Sequence, residues 1–193
     1  MTQKTPLQIV VRNATAKDFK FMDQLADEAF GPGGYTRTAF RLREGVPPMV
    51  ELCFVAEFDK EIVGSVRLTP IKIGGQDSLI LGPLVAAKSM QSIGIGRELM
   101  NRALSSCKVN GHKSIILVGD LAYYKRFGFK RIKAGQISLP GPVDPARLLG
   151  LELVEGALEA LSGTAQKALA FICLHVSIAQ QMPAIIKPSQ RIR

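Results

Sequence analysis

Gln91-Ser92-Ile93-Gly94-Ile95-Gly96-Arg97 is the stretch on which the reading of this chain turns. It follows a strand-like segment, Leu81-Gly82-Pro83-Leu84-Val85. It also opens a run in which Ile95, Leu99, Arg102-Ala103 and Val109 recur at helical spacing, over about Gly94 to Asn110. A helix N-terminus leaves about four backbone amides unpaired and carries a partial positive charge, so it attracts phosphate. Glycines at 94 and 96 let the backbone approach such a ligand with no Cβ in the way. A strand, a turn and two glycines imply anion binding and nothing finer.

Three phosphate-binding turns compete for this start. The P-loop fails, because Arg97 and Glu98 come next and no Gly-Lys-Ser/Thr follows. The dinucleotide fingerprint fails too, because Leu99 stands where its third glycine belongs. Asp120, beyond the following strand, sits where a ribose-binding acid would, but antiparallel strands before Gly94 break the βαβ logic. A turn of the form Gln-x-x-Gly-x-Gly after a splayed strand remains.

Those antiparallel strands are read outward from the turn. Asp77 to Val85 is one strand, with Gly82-Pro83 a bulge or splay point, since Pro cannot donate to a ladder. Gly74-Gly75 suits a tight hairpin back to Glu61–Ile73, which carries Ile62, Gly64, Val66 and Leu68 on one face. Asp59-Lys60 turns into Leu52–Phe58, and Ile9–Arg12 opens the chain as a short strand. Thr15 with Asp18 has the form of a capping box, ahead of an amphipathic helix over about Ala16–Phe30 (Phe19, Met22, Ala26, Ala29, Phe30). Gly31-Pro32-Gly33-Gly34 ends it, and a second short helix spans Thr36–Arg43.

Downstream, Gly111 stops the long helix, and His112 is placed as a cation near its C-terminus. Ser114–Val118 is a continuous apolar run that predicts a strand buried on both faces. Leu121–Phe127 reads as a short helix ending at Gly128. Strand-like pieces (Gln136–Leu139, Leu148–Val154) then alternate with the Pro140-Gly141-Pro142 turn.

Composition bounds the partners. A length of 193 residues and a hydrophobic fraction of 47% suit one folded domain. A net charge of +9 points to anionic partners such as a polyphosphate ligand, or simply to solubility. Nucleic acid is the weaker partner, because there is no Trp and no basic stripe interleaved with aromatics. Cys53, Cys107 and Cys173 are odd in number, widely spaced and without a CxxC pair. That argues against a disulfide framework or zinc site and fits a reducing cytoplasm. Met1–Leu7 does not read as a secretory signal, and no apolar run reaches the roughly 18 residues of a membrane span. The expectation is a cytoplasmic protein with no membrane partner and no metal.

Gln91-Ser92-Ile93-Gly94-Ile95-Gly96 resembles the acetyl-CoA signature of the GNAT superfamily of N-acetyltransferases. The likeness extends to Leu81-Gly82-Pro83-Leu84-Val85 before it and Tyr124-Lys125-Arg126-Phe127-Gly128-Phe129 after it. Leu139-Pro140-Gly141-Pro142-Val143, Leu151-Glu152-Leu153 and Gly156-Ala157-Leu158 look like a bacterial subgroup of largely uncharacterised members. It covers about residues 7 to 171. The resemblance implies an α/β fold of α+β type, with a mixed, mostly antiparallel central sheet splayed at the cofactor site and flanked by helices. It sets a domain at 1–171 and a basic C-terminal tail at 172–193, which would pack on the domain, join a homodimer contact or stay loose.

The resemblance also assigns roles. Backbone amides of Gln91, Ser92, Ile93, Gly94, Ile95, Gly96 and Arg97 would cradle the pyrophosphate of acetyl-CoA. Leu84, Val85 and Ala86 would bond its pantetheine as if it were a further strand. Tyr124, four residues before Gly128, matches the family's tyrosine facing the thioester sulfur.

The chemistry asks for the same parts. An alkyl amine with a pKa of about 10 must lose a proton before it attacks a thioester. The oxyanion needs a donor, for which the amide of Leu84 or Val85 is a candidate. A departing thiolate, of pKa about 8.5 for a simple thiol, benefits from an acid such as a phenol. The strand Leu79–Val85 holds no carboxylate, which leaves Glu57, Asp120 or a water relay as the base.

Ser92 replaces the family's usual glycine, and Ala86-Ala87-Lys88 its common entry to the turn. The expected activity is acetyl transfer from acetyl-CoA to a primary amine by direct attack in a ternary complex. The acceptor is a small metabolite or antibiotic, a peptide N-terminus or a lysine. The alternative is a non-catalytic acyl-CoA-binding or sensing module.

Overall fold

Two tight hairpins frame the longest strand. Asp59 and Lys60 (φ 49° and 67°) and Gly74 and Gly75 (φ 55° and 84°) are all left-handed, as the turn type that matches strand twist demands. In the computed structural model, which describes residues 9–31 and 38–168, the elements are as follows. They run β1 (Val10–Asn13), α1 (Phe19–Phe30), α2 (Thr38–Arg43), β2 (Phe54–Phe58), β3 (Glu61–Ile73), β4 (Gln76–Ala86), α3 (Ile95–Val109) and β5 (Ser114–Val118). Then come α4 (Leu121–Tyr124), β6 (Lys130–Arg131), β7 (Ile137–Ser138), β8 (Leu148–Glu152) and β9 (Gly163–Lys167). The boundary expected at residue 171 and the basic tail lie outside the described residues.

The strands lie in the order β1-β2-β3-β4-β5-β8-β6, with β9 against the far end of β3 and beside β7. Among the described strands, only β4–β5 and β7–β9 pair in parallel. This is the mixed, mostly antiparallel sheet expected, with helices on it.

Two cores sandwich the sheet. Leu99, Met100, Ala103 and Cys107 of α3 pack on Val66, Leu68, Leu79, Ile115 and Leu117. On the other face Leu42 of α2 meets Ile71, Ile73, Ile80 and Ile116, and Met22 of α1 meets Cys53 and Val55. Ile115 and Ile116 serve opposite cores, so β5 is buried on both faces as its apolar run predicts. Gly64 lets α3 sit down, because a Cβ there would lie 2.6 Å from Ile95 Cγ2.

Several sequence expectations shift. Ile62 does not share the face of Gly64, Val66 and Leu68. The β2–β3 register slips between Ala56 and Glu57, so Val63 is an extra residue that reverses the alternation. Ile62 therefore packs with Met22 and Cys53, while Val63 joins the α3 core.

The capping box forms only in its returning half, since Asp18 accepts from Thr15 N–H (2.7 Å) and Oγ1 (2.8 Å). Asp18 is also held by Arg12 Nη1 at 2.7 Å, and Arg12 Nη2 reaches Glu57 at 2.6 Å. That guanidinium holds the Asp18 carboxyl well below the usual range, and the helix proper begins at Phe19. Val50–Leu52 is a 3-10 turn, so β2 starts at Phe54. The strand β9 was not anticipated, because Gly163-Thr164-Ala165-Gln166-Lys167 has one buried side chain, Ala165. His112 does not cap as a cation. Its backbone N–H bonds Cys107 O at 3.0 Å, and burial lowers the imidazole pKa.

Candidate active site

The strands β4 and β5 part company halfway. They pair at Leu79–Ile115 and Ile80–Ile116 only, while β4 stays on β3 through Ala86. The cause is local. The β3–β4 register shifts between Val66 and Leu68, so that Arg67 opposes both Gly82 and Pro83. Gly82 has φ +133°, a backbone open to glycine, and Pro83 has no N–H to offer β5. Such a bulge bends its strand, and β4 leaves β5. Meanwhile β5 stays on β8, and Gly119 N–H continues that contact to Arg147 O at 2.9 Å.

Backbone direction inside the split follows from one bond. Ala87 N–H donates to Val63 O at 2.8 Å, so residues 63 and 87 form a hydrogen-bonded pair. Antiparallel pairs alternate, so Val85 is bonded to Ser65, while Leu84 and Ala86 turn their N–H and C=O away from β3. Of the two amides proposed for an oxyanion, Leu84's faces the split and Val85's is spent in the ladder.

A cleft of about 950 Å³ occupies the split. It brings together Leu84, Val85, Ala86, Gly96 and Tyr124. Gln91, Ser92, Ile93, Gly94, Ile95 and Arg97 do not line it. Within that turn Gly94 (φ 96°) caps α3, and the bond from Glu98 N–H to Gly94 O (3.1 Å) closes its first turn. The amides of Ile95, Gly96 and Arg97 therefore leave the helix end unbonded within it. The Ile95 side chain is buried at 4% exposure, so it anchors the helix and offers a ligand only its amide.

The Tyr124 ring fits against Gly119, where a Cβ would lie within clash distance of its Cε2, and meets Phe129 edge-on at 5.8 Å. Burial pushes its phenol up to about 12. Asp120 lines the cleft and caps α4, with Oδ1 accepting from Ala122 N–H at 2.9 Å. Glu57 is bound to Arg12 on the β1–β2 edge and does not line the cleft. Sequence reasoning missed Asp23, Asp27 and Phe30 in the wall, although their spacing marks one face of α1. It also missed Arg147, brought in by β8, and Tyr123. Arg67 reaches the wall from the bulge and pairs with Asp23 at 2.7 Å.

Residues 50–131 match the sequence model of the acetyltransferase (GNAT) domain. The matched span runs from β2 to β6, and over it the chain resembles GNAT acetyltransferases. The uncharacterised N-acetyltransferase YhbS of Escherichia coli strain K12 is 25% identical over 158 residues, 80% of this chain and 93% of YhbS. The crystal structure of Escherichia coli YhbS in complex with CoA shares the fold, with a TM-score of 0.72 at 23% identity over 86% of this chain and 93% of that one. A GNAT family acetyltransferase from Brucella melitensis, solved with acetyl-CoA, has a TM-score of 0.52 at 26% identity, covering 75% and 96%.

Position 92 departs from the glycine of the signature that the turn resembles. Ser92 has φ +68°, a left-handed backbone that disfavours L side chains by roughly 1–2 kcal/mol. Glycine is the unstrained residue there. Among the described residues, no group of three His, Cys, Asp or Glu side chains could hold a metal ion, and no helix is long and apolar enough to cross a membrane.

Proposed function

We propose that this domain moves the acetyl group of acetyl-CoA to a primary amine by direct attack in a ternary complex. The observation that carries the reading is the half-paired strand. Leu84 and Ala86 present a free strand edge to a cleft that Gly96 and Tyr124 also line. An extended pantetheine fits such an edge as a strand fits a sheet. The start of α3 lies on the same cleft and suits the diphosphate. Acetyl-CoA supplies an activated acyl thioester.

The chain's residues do the rest. The Leu84 N–H polarises the carbonyl and stabilises the negative charge that grows on its oxygen. Amides of the turn from Gln91 to Arg97 hold the diphosphate. The phenol of Tyr124, fully protonated at working pH, donates to the sulfur as the C–S bond breaks. The acceptor's ammonium first gives a proton to water or to Asp120, whose Oδ2 is not used in capping α4. Buried free thiols at Cys53 and Cys107, pushed up to about 11 and 12, support a reducing cytoplasmic setting.

Thiol release from acetyl-CoA over a panel of amines tests the reading. Amine-dependent release is expected, and Tyr124→Phe should slow it roughly a hundredfold with little change in CoA affinity. Tight CoA binding with no release for any amine would instead establish a binding or sensing module.

A further inference from the structure

We propose that Tyr123 is a second cofactor-contacting tyrosine, whose phenol donates a hydrogen bond to the diphosphate of acetyl-CoA at the start of α3. The assignment rests on reading the cleft as an acetyl-CoA site. It starts from Gly96, the second glycine of the turn. A Cβ on Gly96 would stand 2.7 Å from the Tyr123 hydroxyl oxygen and 3.8 Å from its Cζ, and among the described residues, its own helix backbone and chain neighbours aside, no other atom comes within 4 Å. Tyr123 thus reaches across the cleft from α4 and ends its side chain against the first turn of α3. Gly96 is a glycine in part because that hydroxyl is there.

The ring is held in place without the hydroxyl. Tyr124 meets it edge-on at 4.9 Å, Phe127 lies at 5.7 Å, and the Arg126 guanidinium lies 5.0 Å over its face. A phenylalanine would satisfy all three contacts. The hydroxyl is the part this packing does not need, and no described residue hydrogen-bonds it. It sits against Gly96 in the first turn of α3, the turn whose Ile95, Gly96 and Arg97 amides are the donors that an anion at the α3 start would use. Burial raises the phenol's pKa against the opposing pull of Arg126, so it stays a donor at working pH. The two adjacent tyrosines divide the cleft. Tyr124 packs on Gly119, where β5 ends, and Tyr123 reaches the opposite wall at α3.

Two measurements test the assignment. Calorimetric titration compares CoA with pantetheine, which lacks the diphosphate. Tyr123→Phe should weaken CoA binding roughly tenfold, leave pantetheine binding unchanged, and raise KM for acetyl-CoA with kcat preserved. Unchanged CoA affinity, or equal loss for both ligands, would overturn it. A parent protein that binds neither ligand would sink the acetyl-CoA reading itself, a different failure. Thermal melts of Gly96→Ala, made alone and with Tyr123→Phe, test the contact without any ligand. The alanine should lower Tm clearly beside tyrosine and much less beside phenylalanine. Equal losses in both backgrounds would show that the hydroxyl does not press on position 96.

Discussion

The two halves of β4 share one neighbour and differ in the other. From Gln76 to Ile80 the strand has β3 on one side and reaches β5 on the other, and Leu79 and Ile80 are at 1% and 0% exposure. From Leu81 to Ala86 it keeps β3 and loses β5, and Pro83, Leu84 and Ala86 stand half-buried in a cleft. Leu79-Ile80 in the first half and Leu84-Val85 in the second are both apolar pairs, so hydrophobicity does not separate core from site. The difference is whether the outer row of N–H and C=O groups already has a protein partner. One inserted position opposite Arg67 leaves that outer row unpaired over the second half of the strand.

The sharpest way to break this contrast is to damage each half separately. Ile116→Ala removes a side chain at 0% exposure opposite Ile80 in the fully paired half. Unfolding in urea should show a loss of about 2–5 kcal/mol, while the KM for acetyl-CoA of the folded enzyme stays near that of the parent. Leu84→Pro deletes the amide that faces the cleft and leaves the Val85 ladder bond in place. Thiol release should fall roughly 10²–10³-fold, about 2.7–4 kcal/mol of barrier, with a much smaller effect on melting. A Leu84→Pro variant at full rate would return the oxyanion role to another donor.

Smaller effects refine the picture at the cleft's rim and far from it. Ser92→Gly relieves the left-handed backbone at φ 68° and should raise stability by roughly 1 kcal/mol, read as a higher Tm. If CoA affinity drops along with that gain, the Ser92 hydroxyl is itself a phosphate ligand. Acid titration probes a region belonging to neither half. Arg12 holds the Asp18 carboxyl low, so its stabilisation is complete above the unfolded-state pKa of about 3.9. It is lost as pH falls below that toward the folded-state value. Asp18→Asn should flatten this part of the stability profile below about pH 4 and leave CoA binding at neutral pH alone.

Much of this was legible locally. Turn chemistry placed both hairpins around β3, helical spacing placed α1 and α3, and Gly82-Pro83 marked the point where β4 leaves its neighbour. These are short-range signals, set by backbone sterics and missing donors. The strand β9 was not legible, because it owes its place to pairing with Ile71–Ile73 of β3, nearly a hundred residues away, and not to an alternating pattern of its own. Ile62 was misplaced because a bulge reverses alternation and leaves no mark in residue type.

The turn at Gln91 to Gly96 shows the same division. Its glycines, and the helix after them, led to the expectation of an anion site from sequence alone, since φ preference and unpaired amides are properties of the segment itself. What each glycine is for was decided in three dimensions. Gly94 needs its positive φ, whereas Gly96 makes room for a hydroxyl arriving from α4. The choice of Leu84 over Val85, the retirement of Glu57 to an ion pair and the arrival of Arg147 beside the cleft were likewise invisible in the chain. Each depends on which distant strand lies alongside, and only the assembled sheet sets that.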